Sequence, residues 1–371
     1  MAATDCVVVG GGIVGAACAR ELARAGATVD LLEAKHLGAG ATAAGMGHLV
    51  TMDGVPGELA LTHHGVEAWR CECDELKRVA EYTPTGTLWI AASAAEVELL
   101  ERQRSAFAAL GVDAELLPRA QLAAAEPALS AAACAGLRVP GDAIVYAPKA
   151  AQWLARQSCG GRLRVHRGAR VVRVGPDWAE SADGRRFDAA HVVVACGLHA
   201  RELLPALGLV AKRGHLLITD RYPGALRHHV LEVGYAAATH AHSEASVSFN
   251  VQPRPSGQIL IGSSREPGVE HAAEDPAIVR RLAARALHFL PGLDGASVLR
   301  VWTGVRAASP SGLPIIGRAR LPGALGRVWV AAGHEGLGVT TALVSAVLLR
   351  AKMFGGSLPP GLERIYAEDA A

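Results

Sequence analysis

Residues 4–33 read TDCVVVGGGIVGAACARELARAGATVDLLE, and this stretch decides the fold. Cys6 to Val9 is a short continuous apolar run, the pattern of a strand buried on both faces. A glycine turn follows. Ile13, Val14, Ala17 and Leu22 then recur at helical spacing until Gly26 stops the helix. Residues 28–33 return as a second buried strand. The result is a compact βαβ unit whose turn carries GxGxxG at Gly10, Gly12 and Gly15. Gly10 allows the tight turn, Gly12 lets the backbone approach a pyrophosphate at the positive end of the helix, and Gly15 lets helix and strand pack closely. Glu33, followed by Ala34, ends the second strand close to the ~20-residue offset at which an acid meets a ribose. GxGxxG alone is weak evidence. Between these two strands it is a dinucleotide fingerprint.

The chain has 371 residues, half of them hydrophobic, and a net charge of +2. That length favours two domains. The charge is too small to argue for nucleic acid or an anionic membrane surface. The seven cysteines are scattered without CxxC spacing, so the chain carries no zinc ribbon, no iron–sulfur motif and no other metal-ligand pattern. Cys6, Cys18 and Cys196 sit in apolar patterns and read as small buried hydrophobes. The first strand begins too early to leave room for a signal peptide, and no apolar run approaches the ~20 residues of a membrane span. A cytoplasmic protein fits, with peripheral attachment to the inner membrane left open.

Residues 60–80 and 94–110 read as helices flanking a strand at GTLWIAA (86–92). Strand-like runs dominate 211–262, and 276–290 is helical again. AHVVVACG (190–197) is another strand buried on both faces, and Asp183-Gly184 suits a tight hairpin turn. The chain closes with RVWVAA (327–332), the glycine-rich turn GHEGLG (333–338) and a helix from about 339 to 354. Nucleotide-type segments thus lie at the start, middle and end. A discontinuous nucleotide-binding domain (1–55, 140–210, 296–371) carrying a sheet domain (56–139, 211–295) explains this best.

Two loops separate FAD from NAD. GAGATAAGMG (38–47) follows the second strand where another phosphate-facing loop would lie. GHEGLG precedes a helix, and its backbone N–H groups suit the negative charge that a reduced flavin carries on its pyrimidine side.

With these motifs in hand, the chain resembles the D-amino-acid oxidase family of FAD-dependent amine oxidoreductases, on the glycine oxidase and sarcosine oxidase side. The resemblance runs in family order through residues 7–34, GATAAGMG, ARVVRVG, VVVACG, KRGHLLIT, WTGVRAASPSGLPIIG and VWVAAGHEGLG. Within the family, GMGHLVTMD (45–53), VYAPKAAQWL and LIGSSRE are most similar to D-hydroxyproline dehydrogenases. The resemblance implies an α/β fold: an FAD-binding Rossmann-like domain of the glutathione-reductase type, with an inserted α+β substrate domain on a mostly antiparallel sheet. It implies that Gly10, Gly12, Ile13, Val14, Gly15, Glu33 and Ala34 border the adenosine diphosphate. Thr42, Ala43, Ala44, Gly45, Met46 and Gly47 would run beside the pyrophosphate and isoalloxazine, with Met46 packed on the ring. Val172 would line the adenine region, and Ala195 and Gly197 the dinucleotide. His334, Glu335, Gly336, Leu337 and Gly338 would border the pyrimidine edge. No cysteine follows Cys196, which favours non-covalent FAD over the cysteine-linked type.

The resemblance also implies that Arg306 pairs with a substrate carboxylate; a guanidinium fork matches a carboxylate bidentately. The implied reaction oxidises the Cα–N bond of a D-amino or imino acid, cis-4-hydroxy-D-proline or D-proline in particular, by hydride transfer to flavin N5, giving an imine. A substrate amine that binds neutral needs no protein base, so no catalytic side chain is assigned. His48, after the Gly45/Gly47 pair, is expected at the pocket floor; Tyr235, Asn250, Gln252 and Glu335 are further candidates to line it. The pairs His63-His64, His228-His229 and His240/His242 read as surface or loop histidines. Glycine oxidase-like members often carry an arginine where Gly336 stands, which argues against glycine as substrate. Alternatives are a peroxide-producing glycine or sarcosine oxidase, an FAD-bearing subunit working beside iron–sulfur or flavin partners, and a plain NAD dehydrogenase. The electron acceptor is left open.

Overall fold

The computed structural model describes residues 4–157, 159–235, 245–319, 327–363 and 365. The βαβ unit is present: strand Thr4–Val9, helix Ile13–Arg24 and strand Val29–Glu33. These strands centre an eight-stranded sheet with the path Ile315–Arg318, Val328–Ala332, Arg186–Val194, Thr4–Val9, Val29–Glu33, Leu163–Arg167. Thr4–Val9 pairs in parallel with both Arg186–Val194 and Val29–Glu33. Both faces of these strands are covered, as their unbroken apolar runs require. Cys6, Val8, Val29 and Leu31 face one hydrophobic cluster, while Val7, Val9, Leu32, Val192 and Val194 face another.

The second eight-stranded sheet runs Val298–Ala308, Val210–Arg221, Gln258–Pro267, Ser246–Pro253, His229–Glu232, Thr87–Ala91, Ala135–Val139, Glu115–Pro118. All its pairings are antiparallel except that of His229–Glu232 with Thr87–Ala91. Helix Pro276–Phe289 packs through Ile278, Leu282, Ala286 and Phe289 into the cluster that covers one face of this sheet.

Three details differ from the sequence reading. Val298–Ala308 joins the second sheet beside Val210–Arg221, so the return expected at 296 begins only after Ala308. Helices Glu58–Cys71 and Cys73–Ala80 bury Leu61, Val66, Trp69 and Leu76 in the first core rather than beside the second sheet. Residues 335–354 do form a stretch long and apolar enough to cross a membrane. Its helix, Gly338–Phe354, is apolar on nearly every face because it fills the first core; Gly65 lets its neighbour approach so closely that a Cβ there would lie 2.4 Å from the Thr340 carbonyl oxygen.

Candidate active site

The glycine turn is built for close approach. A Cβ at Gly15 would lie 1.9 Å from the Gly10 carbonyl oxygen, and Gly10 itself sits at φ +107° against the Ala195 backbone. The N-cap residue Gly12 has no side chain to cap the helix that starts at Ile13, which leaves its positive end directed at the turn. The Glu33 carboxylate accepts hydrogen bonds from the Gly11 and Lys35 backbone N–H groups, both at 2.7 Å, which fixes it at the strand end. Thr42 Oγ1 accepts from Ile13 N at 3.0 Å and ties the 38–47 loop to the helix start. Ala34, Ala43, Gly45 and Gly197 are exposed around this cradle and Ala44 is partly so, while Ala195 is buried beneath Gly10. Val172 lies on the short strand Val171–Val174, with its side chain largely exposed. Gly338 opens the C-terminal helix, which again has no side-chain cap, and Leu337 is buried beside it. Helix starts without an N-cap side chain, glycine turns and a pinned terminal acid fit FAD.

The 38–47 loop then runs into the second sheet. Trp302 Nε1 donates to the Ala44 carbonyl at 3.2 Å, and Gln252 Nε2 to the Met46 carbonyl at 2.7 Å. Met46 packs with Leu216 and Leu260. Gly47, at φ +79°, is glycine because a Cβ would meet the Val145 carbonyl oxygen at 2.0 Å. The close approach expected there is thus made by protein backbone. His48–Leu49 then pairs with Ala143–Ile144, and the Thr340 hydroxyl donates to the His48 carbonyl.

His48 is buried and stacks on His229, with ring centroids 5.5 Å apart and planes 21° apart; Tyr235 meets it edge-on at 6.5 Å. His229 Nε2 faces Asn250 Oδ1 at 2.8 Å. The expectation of a surface or loop histidine is corrected for His229, which is fully buried. His63 and His64 remain on a partly exposed helix face, and His240 and His242 lie outside the described residues. Burial, then the neighbouring His229, pushes His48 down to about 3; burial likewise pushes His229 to about 4, against the Asn250 hydrogen bond. Both rings are therefore neutral near pH 7. The unfolded chain protonates them more readily, so they cost stability as pH falls below 6.5. The limiting rate of cofactor reduction should show no inflection from either ring between about pH 5 and 9. Substituting His48 with asparagine should weaken substrate binding about tenfold with the yellow cofactor retained. Unchanged kinetics would reduce His48 to a packing role.

Charge gathers close to both Tyr235 and His48. Burial alone would push the Glu335 carboxyl up, but Arg265, Arg306 and Lys212 outweigh it and hold the carboxyl below its usual range. Arg265 Nε donates to Glu335 at 3.3 Å, and its guanidinium lies 4.5 Å over the Tyr235 ring. Arg306 Nη1 donates to the Ser264 carbonyl at 3.0 Å, and Gly214 is glycine because a Cβ would lie 2.4 Å from that Nη1. His334 faces Ser345 Oγ at 3.1 Å and is neutral, pushed by burial to about 4. His48 Nδ1, His229 Nδ1, Asn250 Nδ2, Gln252 Oε1 and both Arg265 Nη atoms are buried and make no hydrogen bond of ordinary length and angle among the described residues. Such atoms cost about 1–3 kcal/mol each unless a ligand or water satisfies them.

The arrangement thus joins a dinucleotide cradle to a buried cationic cluster through one loop. A model of FAD-dependent oxidoreductases, the DAO family, matches residues 5–351. The chain belongs to this family. It is similar to a glycine oxidase of Pseudomonas aeruginosa, 30% identical over 372 residues that span 94% of each chain. It is also similar to an opine oxidase subunit of Rhizobium meliloti, 26% identical over 96% of this chain and 95% of that one. Its fold matches the crystal structure of glycine oxidase from Geobacillus kaustophilus with TM-score 0.85 and 23% identity, covering 99% and 98% of the two chains. As a member of this family it is an FAD-dependent oxidoreductase.

Of the residues expected from the sequence, His48, Tyr235 and Asn250 lie in one group with His229, and Arg306 and Glu335 lie in another with Arg265 and Lys212. Lys212, His229 and Arg265 are not expected there from the sequence. The available signal is charge inside strands otherwise buried along their length: KRGHLLIT and LIGSSRE each carry cations at positions that are almost wholly buried.

Proposed function

We propose that this FAD-dependent oxidoreductase oxidises the Cα–N bond of a cyclic D-imino acid, cis-4-hydroxy-D-proline or D-proline, to an imine. It holds FAD non-covalently and delivers electrons to an acceptor other than oxygen. The observation that carries the reading is the set of unpaired polar atoms on His48, His229, Asn250 and Gln252, with Arg265 and Arg306 near His48. A guanidinium takes the substrate carboxylate, and a ring hydroxyl would satisfy atoms that glycine leaves bare. Bound FAD supplies the hydride acceptor. This chain's residues orient the substrate, exclude water and keep the imidazoles neutral, so that the amine can bind uncharged with its lone pair available. Non-covalent attachment is supported by Cys6, Cys18 and Cys196, whose thiols burial pushes up to about 12.

Anaerobic bleaching of the flavin by a substrate panel tests the reading. D-Proline or its 4-hydroxy forms should bleach it; bleaching by glycine or sarcosine alone would overturn the assignment. Peroxide yield compared with dye reduction separates an oxidase from a dehydrogenase. A second reading, an FAD-bearing subunit of a multi-subunit amino acid dehydrogenase, is favoured by the similarity to the opine oxidase subunit over nearly the whole chain. Bleaching that occurs in the isolated chain while turnover with dye does not would support it.

A further inference from the structure

We propose that Arg265 is a second carboxylate-binding residue, and that it closes with Arg306 on one substrate carboxylate in the opening beside Gly336. The proposal rests on the reading of this pocket as an amino or imino acid site. Arg265 is 1% exposed. Its Nε is taken by Glu335, and its flat face is held over Tyr235. Both Nη atoms, the edge of the fork, make no hydrogen bond of ordinary length and angle among the described residues, although the Tyr235 hydroxyl also interacts with the guanidinium. A guanidinium is always charged, so this edge cannot escape its cost by losing a proton. It is pre-oriented for an acceptor that arrives from outside the chain, and a planar two-oxygen group matches it.

Arg306 faces the same space. A Cβ built at Gly336 would stand 3.9 Å from Arg265 Nη2 and 3.9 Å from Arg306 Nε, so both cations border the spot that residue 336 leaves open. The two are also tied to one strand. Ser264 accepts from Arg306 through its carbonyl, and Arg265 is the next residue of Gln258–Pro267. Glu335 does not complete the site. Its carboxylate is engaged by Arg265 Nε and by the Gly336 N–H, which leaves the Nη edge untouched. Arg265 and Arg306 around this one carboxylate leave an excess of positive charge that an incoming carboxylate offsets. Glycine at 336 then has a reason: a longer side chain would occupy the anion's place.

The test uses the FAD-loaded full chain and a ligand that cannot be oxidised. Pyrrole-2-carboxylate and its neutral carboxamide are titrated while the flavin absorption band is followed. Arg265→Gln should weaken carboxylate binding about 30-fold and carboxamide binding less than about threefold. Arg265→Lys, which keeps the charge but loses the fork, should fall between. Guanidinium ion should restore carboxylate binding to Arg265→Ala. Gly336→Ala, at a position with ordinary backbone angles, should selectively weaken the carboxylate by filling the opening. Carboxylate affinity within about threefold of wild type in Arg265→Gln, or equal loss of both ligands, would overturn the proposal. Should Arg265→Gln fail to hold FAD, Arg265→Lys and Gly336→Ala decide by the same criterion. The two readings fail separately. Bleaching by glycine alone removes the cyclic substrate but leaves Arg265 assigned. Bleaching by D-proline with unchanged Arg265→Gln affinity removes only Arg265.

Discussion

Gly15→Val should yield a folded but colourless protein. At Gly15 a Cβ would sit 1.9 Å from the Gly10 carbonyl oxygen, well inside van der Waals contact. The obstacle is backbone, so no rotamer change relieves it. Either helix Ile13–Arg24 moves away from strand Thr4–Val9 or the Gly10–Gly12 turn opens. In both cases the helix start no longer points its N–H groups at the pyrophosphate position. Overpacking of this kind costs about 3 kcal/mol, or about a hundredfold in FAD affinity. The flavin absorbance per protein measures the loss, and far-ultraviolet circular dichroism establishes that the chain is still folded. A fully yellow Gly15→Val would sink the assignment of this turn as the pyrophosphate cradle.

The second large effect is at Arg306. Arg306→Met should lower kcat/KM by about a thousandfold, chiefly through KM, while the flavin spectrum stays intact. The guanidinium is fixed by the Ser264 carbonyl, and Gly214 leaves room for it beside the neighbouring strand, so it meets a carboxylate at little entropic cost. Removing one partner of a desolvated charge pair costs about 2–5 kcal/mol, and a thousandfold lies in that range. Arg306→Lys should recover part of the loss, because it restores charge without the planar fork. Steady-state kinetics with the bleaching substrate provide the measurement. A change in kcat/KM of less than about threefold in Arg306→Met would remove Arg306 from the carboxylate site.

Much of the site is legible in the sequence because its signals are local. Glu33 can be placed from its offset to the glycines, and the strands of the first sheet from apolar runs that only double-sided burial explains. Arg306 is legible through the motif around it. Gly47 reads correctly as a close-approach residue, but the approaching group is the Val145 carbonyl. His229 reads wrongly as a surface residue because a histidine beside a histidine carries no local sign of burial. Its partners lie 21 residues away at Asn250 and far up the chain at His48.

By itself the sequence determined the βαβ unit, its dinucleotide turn, the order of segments and the family. Each depends on residue periodicity or on spacing within one stretch of chain, which short-range sterics and hydrogen bonding enforce. Only the tertiary structure decided which polar residues share the pocket. The Arg265, Arg306, Lys212 and Glu335 group comes from three strands and a turn, with the strands set side by side by sheet register. Register depends on long-range pairing, and a one-residue slip would turn each side chain to the opposite face. Which charges meet, and which are left bare for a ligand, is therefore a property of the folded chain.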